Sequence, residues 1–173
     1  MIAGGCYMIT LNKKGFPILE TEASIPYELA AGPSWHRFFE GIKEQKIYGS
    51  RCPSCTRVLV PARSFCPKCY VDMGEWVDVS NEGEVTGWSL TQYHYFGMPT
   101  EPPFITGLIR LDGADNDFCH LIGGFDLNDL ERVRETVKIG IRVNAVWAEK
   151  RSGCIMDIQY FEPISQRLMY SSV

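Results

Sequence analysis

Two matched cysteine pairs are the residues best spaced for chemistry. Cys52-Pro53-Ser54-Cys55 and Cys66-Pro67-Lys68-Cys69 are separated by ten residues. Two residues between ligands let one tight turn present two thiolates to one metal, and two such turns close a tetrahedral four-sulfur site. The proline in each pair helps to set the turn. Four thiolates leave no open coordination position, so the ion would supply folding energy and would not activate water. Zinc and iron both accept this ligand set, and spacing does not separate them. A dithiol redox pair is the rival chemistry, but two matched pairs are better explained by one metal. The insert between them predicts one small hairpin, Thr56 to Phe65.

The other reactive side chains make a weaker case. His36, His94 and His120 are the three histidines. Cys119 and His120 are sequence neighbours in a predicted strand, so they point to opposite faces and make a poor nucleophile–base pair. There is no nucleophile elbow, no phosphate-binding glycine loop and no zinc-protease helix motif. Asp112, Asp115 and Asp117 surround Gly113, where a turn explains them better than a second metal. Tyr93, Tyr95, Phe96 and Phe104 line either an apolar groove or a barrel core.

Charge is unevenly placed. The net charge of −4 argues against a nucleic-acid protein, which usually carries a basic footprint. Yet Lys46, Arg51, Arg57, Arg63 and Lys68 crowd the cysteine segment, where Gln45 to Val71 contains no acid. They either offset an anionic metal centre, about −2 for four thiolates and one divalent ion, or meet a polyanion.

The elements that must position these residues follow from periodicity. Residues 1–33 form an extended arm with Pro17, Pro26 and Pro33 and no sustained period. Its apolar side chains, Tyr7, Met8, Ile9, Leu11, Phe16, Ile18, Leu19, Ile25, Tyr27 and Leu29, need a surface to lie on. That surface is the chain's own body or a partner. Trp35, Phe38, Phe39 and Ile42 share one helical face and predict a helix over 34–47, with Ser34 as N-cap and Gly49 as stop. Residues 34–75 are then the helix and ribbon, 76–164 a barrel, and 165–173 a tail. Strands are expected at Trp76–Phe96, Phe104–Leu111, Asp117–Gly123, Gly140–Glu149 and Cys154–Phe161, with a short helix at Asp126–Arg134. Five strands with a helix between the third and fourth is the order of an OB-fold. The fold class is mainly β: a helix and rubredoxin-like zinc ribbon, then a five-stranded barrel. Cys6, Cys119 and Cys154 are widely spaced leftover thiols, which fits a reducing, cytoplasmic setting. Met1 to Leu11 lacks the charged start and cleavage site of a signal peptide.

From about Ser34 to Ile164 the sequence resembles the DUF35 family of zinc-ribbon plus OB-fold proteins associated with acyl-CoA enzymes. The residues that carry the resemblance are Trp35-His36-Arg37-Phe38-Phe39-Glu40-Gly41, the two cysteine pairs with Pro61-Ala62-Arg63-Ser64-Phe65 leading into the second, Gly83-Glu84-Val85, and Pro102 to Gly113. The arm is longer than the family pattern. The resemblance implies one structural zinc on Cys52, Cys55, Cys66 and Cys69. It also implies a non-catalytic subunit paired with a thiolase-like large subunit, two copies of each chain. Within the family the chain is most similar to the zinc-finger subunits of degradative thiolases, of the benzoylsuccinyl-CoA type in aromatic breakdown. Coenzyme A would then be the polyanion, with its phosphates near Lys46, Arg51, Arg57, Arg63 and Lys68. Subunits of thiolase-like aldolases or of acyl-CoA hydratases, and a nucleic-acid-binding ribbon protein, are the alternatives.

Overall fold

A computed structural model of the chain describes residues 9–11, 13–19, 27–94, 98 and 100–164. The backbone divides into two units, Met1–Ala30 and Ala31–Val173. In the first, β1 (Ile9–Leu11) and β2 (Pro17–Leu19) pair as an antiparallel hairpin, with Ile9 opposite Leu19. The segment read as an extended arm thus contains a short hairpin. Pro17 is tolerated because it opens its strand, and Gly15 supplies a positive φ of 78° in the turn. Cys6, Tyr7, Met8 and Ile25 lie outside the described residues, as does the 165–173 tail.

The second unit opens with α1 (Gly32–Lys43), which begins and ends earlier than its sequence suggests. Pro33 occupies the first turn, where its missing N–H costs nothing. The helix stops at a Schellman turn: Lys46 N–H donates to the Gly41 carbonyl at 2.8 Å and Gln45 N–H to that of Ile42 at 3.0 Å. Gln45 carries the left-handed φ of 64° that glycine usually supplies, so Gly49 is no stop and lies in the next strand. Phe38 and Ile42 are buried. Gly41 lets the helix approach so closely that a Cβ there would run into the Tyr48 ring.

The ribbon sheet has the order β4 (Val58–Leu59), β3 (Ile47–Arg51), β5 (Trp76–Val79). Two expectations are corrected. β4 pairs with β3 across the first cysteine turn, so the hairpin is not self-contained between the two pairs. The expected strand Trp76–Phe96 is two strands, the first of which joins the ribbon by pairing with β3 from Ile47–Val79 to Ser50–Trp76.

The barrel closes through β6 (Glu82–Thr91), β7 (Phe104–Leu111), β8 (Phe118–Ile122), β10 (Ile158–Pro163) and β9 (Arg142–Trp147). β8 and β10 run parallel and the other neighbours antiparallel, which is the OB-fold circuit. A bulge between Val85 and Gly87 bends β6, so Glu82–Glu84 also reach β9. Along β7, Ile105, Ile109 and Leu111 point inward while Leu108 and Arg110 face out. α2 (Leu130–Thr136) starts later than expected because Asp126 is used in a local turn, accepting from Asn128 N–H at 3.0 Å. Asp129 then caps the helix by accepting from Arg132 N–H. A 3₁₀ turn, Ile155–Asp157, replaces the start of the expected last strand. One core runs from Phe38, Ile42 and Ile47 through Val60 to Ile109, Phe118 and Phe161, so ribbon and barrel share their apolar interior. No helix among the described residues is long and apolar enough to cross a membrane.

Candidate metal centre and its surroundings

The two cysteine turns have the same backbone design. Cys52 N–H donates to the Arg57 carbonyl at 2.9 Å and Thr56 N–H to that of Cys52 at 2.9 Å. Fourteen residues on, the pattern repeats: Cys66 N–H to Val71 at 2.8 Å and Tyr70 N–H to Cys66 at 2.9 Å. In each turn the residue after the second cysteine takes a left-handed φ, 61° at Thr56 and 57° at Tyr70. These are two metal knuckles. Their four Sγ atoms lie within 4.8 Å of one another. Cys55 and Cys66 Sγ stand 3.8 Å apart. A tetrahedron with metal–sulfur bonds of ~2.3 Å has edges of about 3.8 Å, so the donor set fits one zinc ion. Cys52 and Cys66 are buried, and Cys55 and Cys69 are half-buried. When bound, the ion would tie both knuckles together and leave no position for water or substrate.

The five cations of the segment separate into two groups. Lys46 Nζ lies 3.8 Å from Glu44. Arg51 Nε pairs with Glu75 at 3.2 Å and its Nη1 reaches the Thr56 carbonyl. Arg57 Nη2 donates to the Asp115 carbonyl at 3.3 Å. Arg63 and Lys68 are exposed, and among the described residues neither side chain makes a hydrogen bond or ion pair. The five are therefore not one anion cradle.

The aspartates near Gly113 are each engaged separately. Asp112 holds the Arg142 guanidinium through two bonds of 2.7 and 2.5 Å, and that guanidinium keeps its carboxyl below the usual range. Asp117 accepts from Arg110 at 2.8 Å. The role of Asp115 is not foreseeable from its neighbours in the chain. Its carboxylate accepts from Val58 N–H at 2.8 Å, while its own N–H donates to the Val58 carbonyl at 2.8 Å. Next to it, the Asn116 amide accepts from Val60 N–H at 2.8 Å and donates to the Val60 carbonyl at 2.6 Å. The β7–β8 turn thus binds the open edge of β4 as a further strand would. It anchors the first knuckle to the barrel.

None of the histidines meets the metal centre. His36 is exposed. His94 lies 3.7 Å from Glu101, with both side chains largely in solvent. His120 is buried between Phe118 and Phe161, with Nε2 3.1 Å from the Ile155 carbonyl and Nδ1 without a hydrogen-bond partner among the described residues. Burial holds its pKa below the usual histidine range despite the Ile155 bond. Cys119 is exposed on the opposite face, as strand alternation requires. Phe104 is core and Tyr93 exposed; Tyr95 and Phe96 lie outside the described residues. The apolar groove of the second unit lies elsewhere, between the start of α1 and residues 61–65, and encloses about 620 Å³.

The family model for the ChsH2 rubredoxin-like zinc ribbon domain matches residues 39–73. That for the ChsH2 C-terminal OB-fold domain matches residues 76–148, and the two together span more than half of the chain. No match was found among curated proteins. Among solved structures, a DUF35-family protein of unknown function from Sulfolobus solfataricus is 28% identical, with a TM-score of 0.52, over 66% of this chain and 78% of that one. A structure described as the Ltp2-ChsH2(DUF35) aldolase is 19% identical, with a TM-score of 0.57, over 79% of this chain and 98% of the other. At that identity the second likeness concerns the fold alone.

Proposed function

This chain belongs to the DUF35 family, and on that premise we propose that it is an accessory subunit that performs no bond chemistry itself. It docks on a larger acyl-CoA enzyme, of thiolase or thiolase-like aldolase type, and shapes the entrance to that enzyme's acyl-CoA site. The observation that carries the reading is the presence of both ChsH2-type domains, in order, on one chain. The name of the aldolase relative couples ChsH2 to a second component, Ltp2, which supports a hetero-oligomer and gives weight to the aldolase form. The closed four-thiolate cluster supports a structural ion and not a catalytic one. Carbon–carbon cleavage would use the partner's own nucleophile, with the acyl-CoA held at the subunit interface.

The full chain, tagged and recovered from its native cells in high salt, is expected to bring down one large subunit that mass spectrometry assigns to the thiolase or thiolase-like aldolase class. Recovery of the chain alone, or with nucleic acid, contradicts the reading. The residues before α1 are proposed as a strap on that partner, since Leu11, Tyr27 and Leu29 stand largely exposed. Deleting residues 1–30 is expected to leave zinc content unchanged and to weaken assembly at least tenfold, ~1.4 kcal/mol. Loss of thermal stability with assembly intact would instead place the arm in this chain's own core.

A further inference from the structure

The apolar stripe of α1 is only half used by the core. Phe38 and Ile42 are buried, whereas Trp35 is 51% exposed and Phe39 half-buried at the groove wall. Trp35 and Phe39 pack edge to face at 6.2 Å, so the open half is ordered by its own contacts. Across the groove stands Phe65, also 51% exposed, and from it the chain enters the second knuckle. There Tyr70 is 85% exposed and Val71 beside it is exposed as well. Residues 65–70 join the groove to the knuckle, and exposed Trp35, Phe65 and Tyr70 mark an apolar strip along this stretch of chain.

The charge along this strip is mainly positive, with exposed Asp72, bridged to Phe65, as the acid set against two cations. Arg63 lines the groove and Lys68 tops the knuckle, and these are the two ribbon cations without a partner among the described residues. The N-terminus of α1 opens on the same groove. It has no side-chain cap and no acid in its first turn, so the positive end of its dipole is uncompensated. A second copy of this chain would bring the same cations face to face. The knuckle is also a poor phosphate cradle, because its Cys66 and Tyr70 N–H groups are spent on carbonyls within the turn.

We propose that this strip is the surface on which the large subunit seats an apolar segment flanked by carboxylates. The apolar side chains enter the groove between Trp35 and Phe65, and carboxylates meet Arg63, Lys68 and the start of α1. The proposal rests on the accessory-subunit reading and deepens it by naming the docking face and the chemistry of the partner segment.

The test uses the full-length, zinc-loaded chain and the purified large subunit identified by co-purification, with affinity read by biolayer interferometry at low and high salt. Arg63→Glu with Lys68→Glu is expected to weaken binding at least tenfold and to flatten its salt dependence. Phe65→Ser with Tyr70→Ser is expected to weaken it as much without changing the salt dependence. Lys138→Glu, an exposed substitution between α2 and β9, is expected to leave affinity within twofold. Zinc content and circular dichroism of every variant should match the parent, because all substituted side chains are exposed. If the parent binds and both double variants bind equally well, the strip is not the docking face, although the accessory reading stands. If the charge-reversed variant assembles normally but raises the KM of the complex for acyl-CoA, the cations serve a phosphate and the proposal fails. If the parent does not bind the large subunit at all, both the proposal and the reading beneath it fail.

Discussion

In the first knuckle the left-handed position is held by Thr56, and the residues that follow run straight into β4, whose edge is covered by Asp115 and Asn116 of the barrel. In the second, the same position is held by Tyr70, and the chain beyond it makes the bridge Phe65 to Asp72 and a bond from Gly74 N–H to the Arg51 carbonyl before it leaves for β5. One backbone motif, repeated, thus serves two purposes. The first knuckle is built into the fold. The second is presented to solvent, with large apolar side chains that a merely structural turn has no reason to carry. A bound ion would tie the second knuckle to the first, because two of its four ligands sit on the anchored side.

Removing the ion is the largest perturbation of this comparison. Replacing Cys52 or Cys69 with Ser is expected to abolish metal binding, which is worth on the order of 10 kcal/mol of folding free energy in small zinc modules. The two knuckles should then diverge. Under a strong chelator, hydrogen exchange is expected to show residues 66–71 losing protection while 57–60 retain it through the barrel turn. Equal loss in both would mean that the turn does not anchor the first knuckle.

Next in size is the anchor itself. Asp115→Ala removes the carboxylate that accepts from Val58 N–H while the backbone bond to the Val58 carbonyl remains, and Asn116→Ala removes both amide bonds to the Val60 backbone. Each is expected to lower stability by about 1–3 kcal/mol, read from denaturant midpoints of the zinc-loaded chain. In either variant the first knuckle should exchange as readily as the second.

A smaller effect concerns the two left-handed residues. Thr56→Gly and Tyr70→Gly both relieve a backbone conformation that L side chains rarely adopt, and each is expected to stabilise the chain by up to about 1 kcal/mol. Their consequences for assembly should differ. Thr56→Gly is expected to leave partner affinity unchanged, whereas Tyr70→Gly is expected to weaken it.

The last effect lies away from both knuckles. His120 is held below its ordinary pKa by burial, so the folded state binds fewer protons there than the unfolded state. Its contribution to stability is therefore complete above the unfolded value of 6.5 and declines as pH falls below it. Relative to the zinc-loaded parent, His120→Gln is expected to lose less stability between pH 7 and pH 5, since both share the acid sensitivity of the thiolates. Identical pH slopes would assign the whole acid response to the metal site.

Much of this architecture was legible beforehand because it rests on local rules. The matched C-P-x-C spacing pointed to the cluster, and the alternation in Phe104–Leu111 marked that strand. The misplacements have specific causes. Gln45 ends α1 with a conformation that its side chain does not advertise. Trp76–Val79 is as β-prone as the barrel strand after it, and only tertiary pairing with β3 assigns it to the ribbon. Asp115 and Asn116 looked like ordinary turn residues, and their role exists only once β4 lies beside them. The groove left one trace, a helical stripe with more aromatic surface than its core position uses. The five cations looked like one patch because sequence does not reveal that Glu75 and Asp115 return to two of them.

The most direct test of the account is a turnover assay on a panel of acyl-CoA thioesters with three samples: the pure zinc-loaded chain, the purified co-purifying large subunit, and the two mixed. The account predicts no turnover by the chain alone, slow or unstable turnover by the large subunit, and full activity on mixing. Turnover by the chain alone that survives removal of trace partner, or full activity of the large subunit without it, would contradict the account.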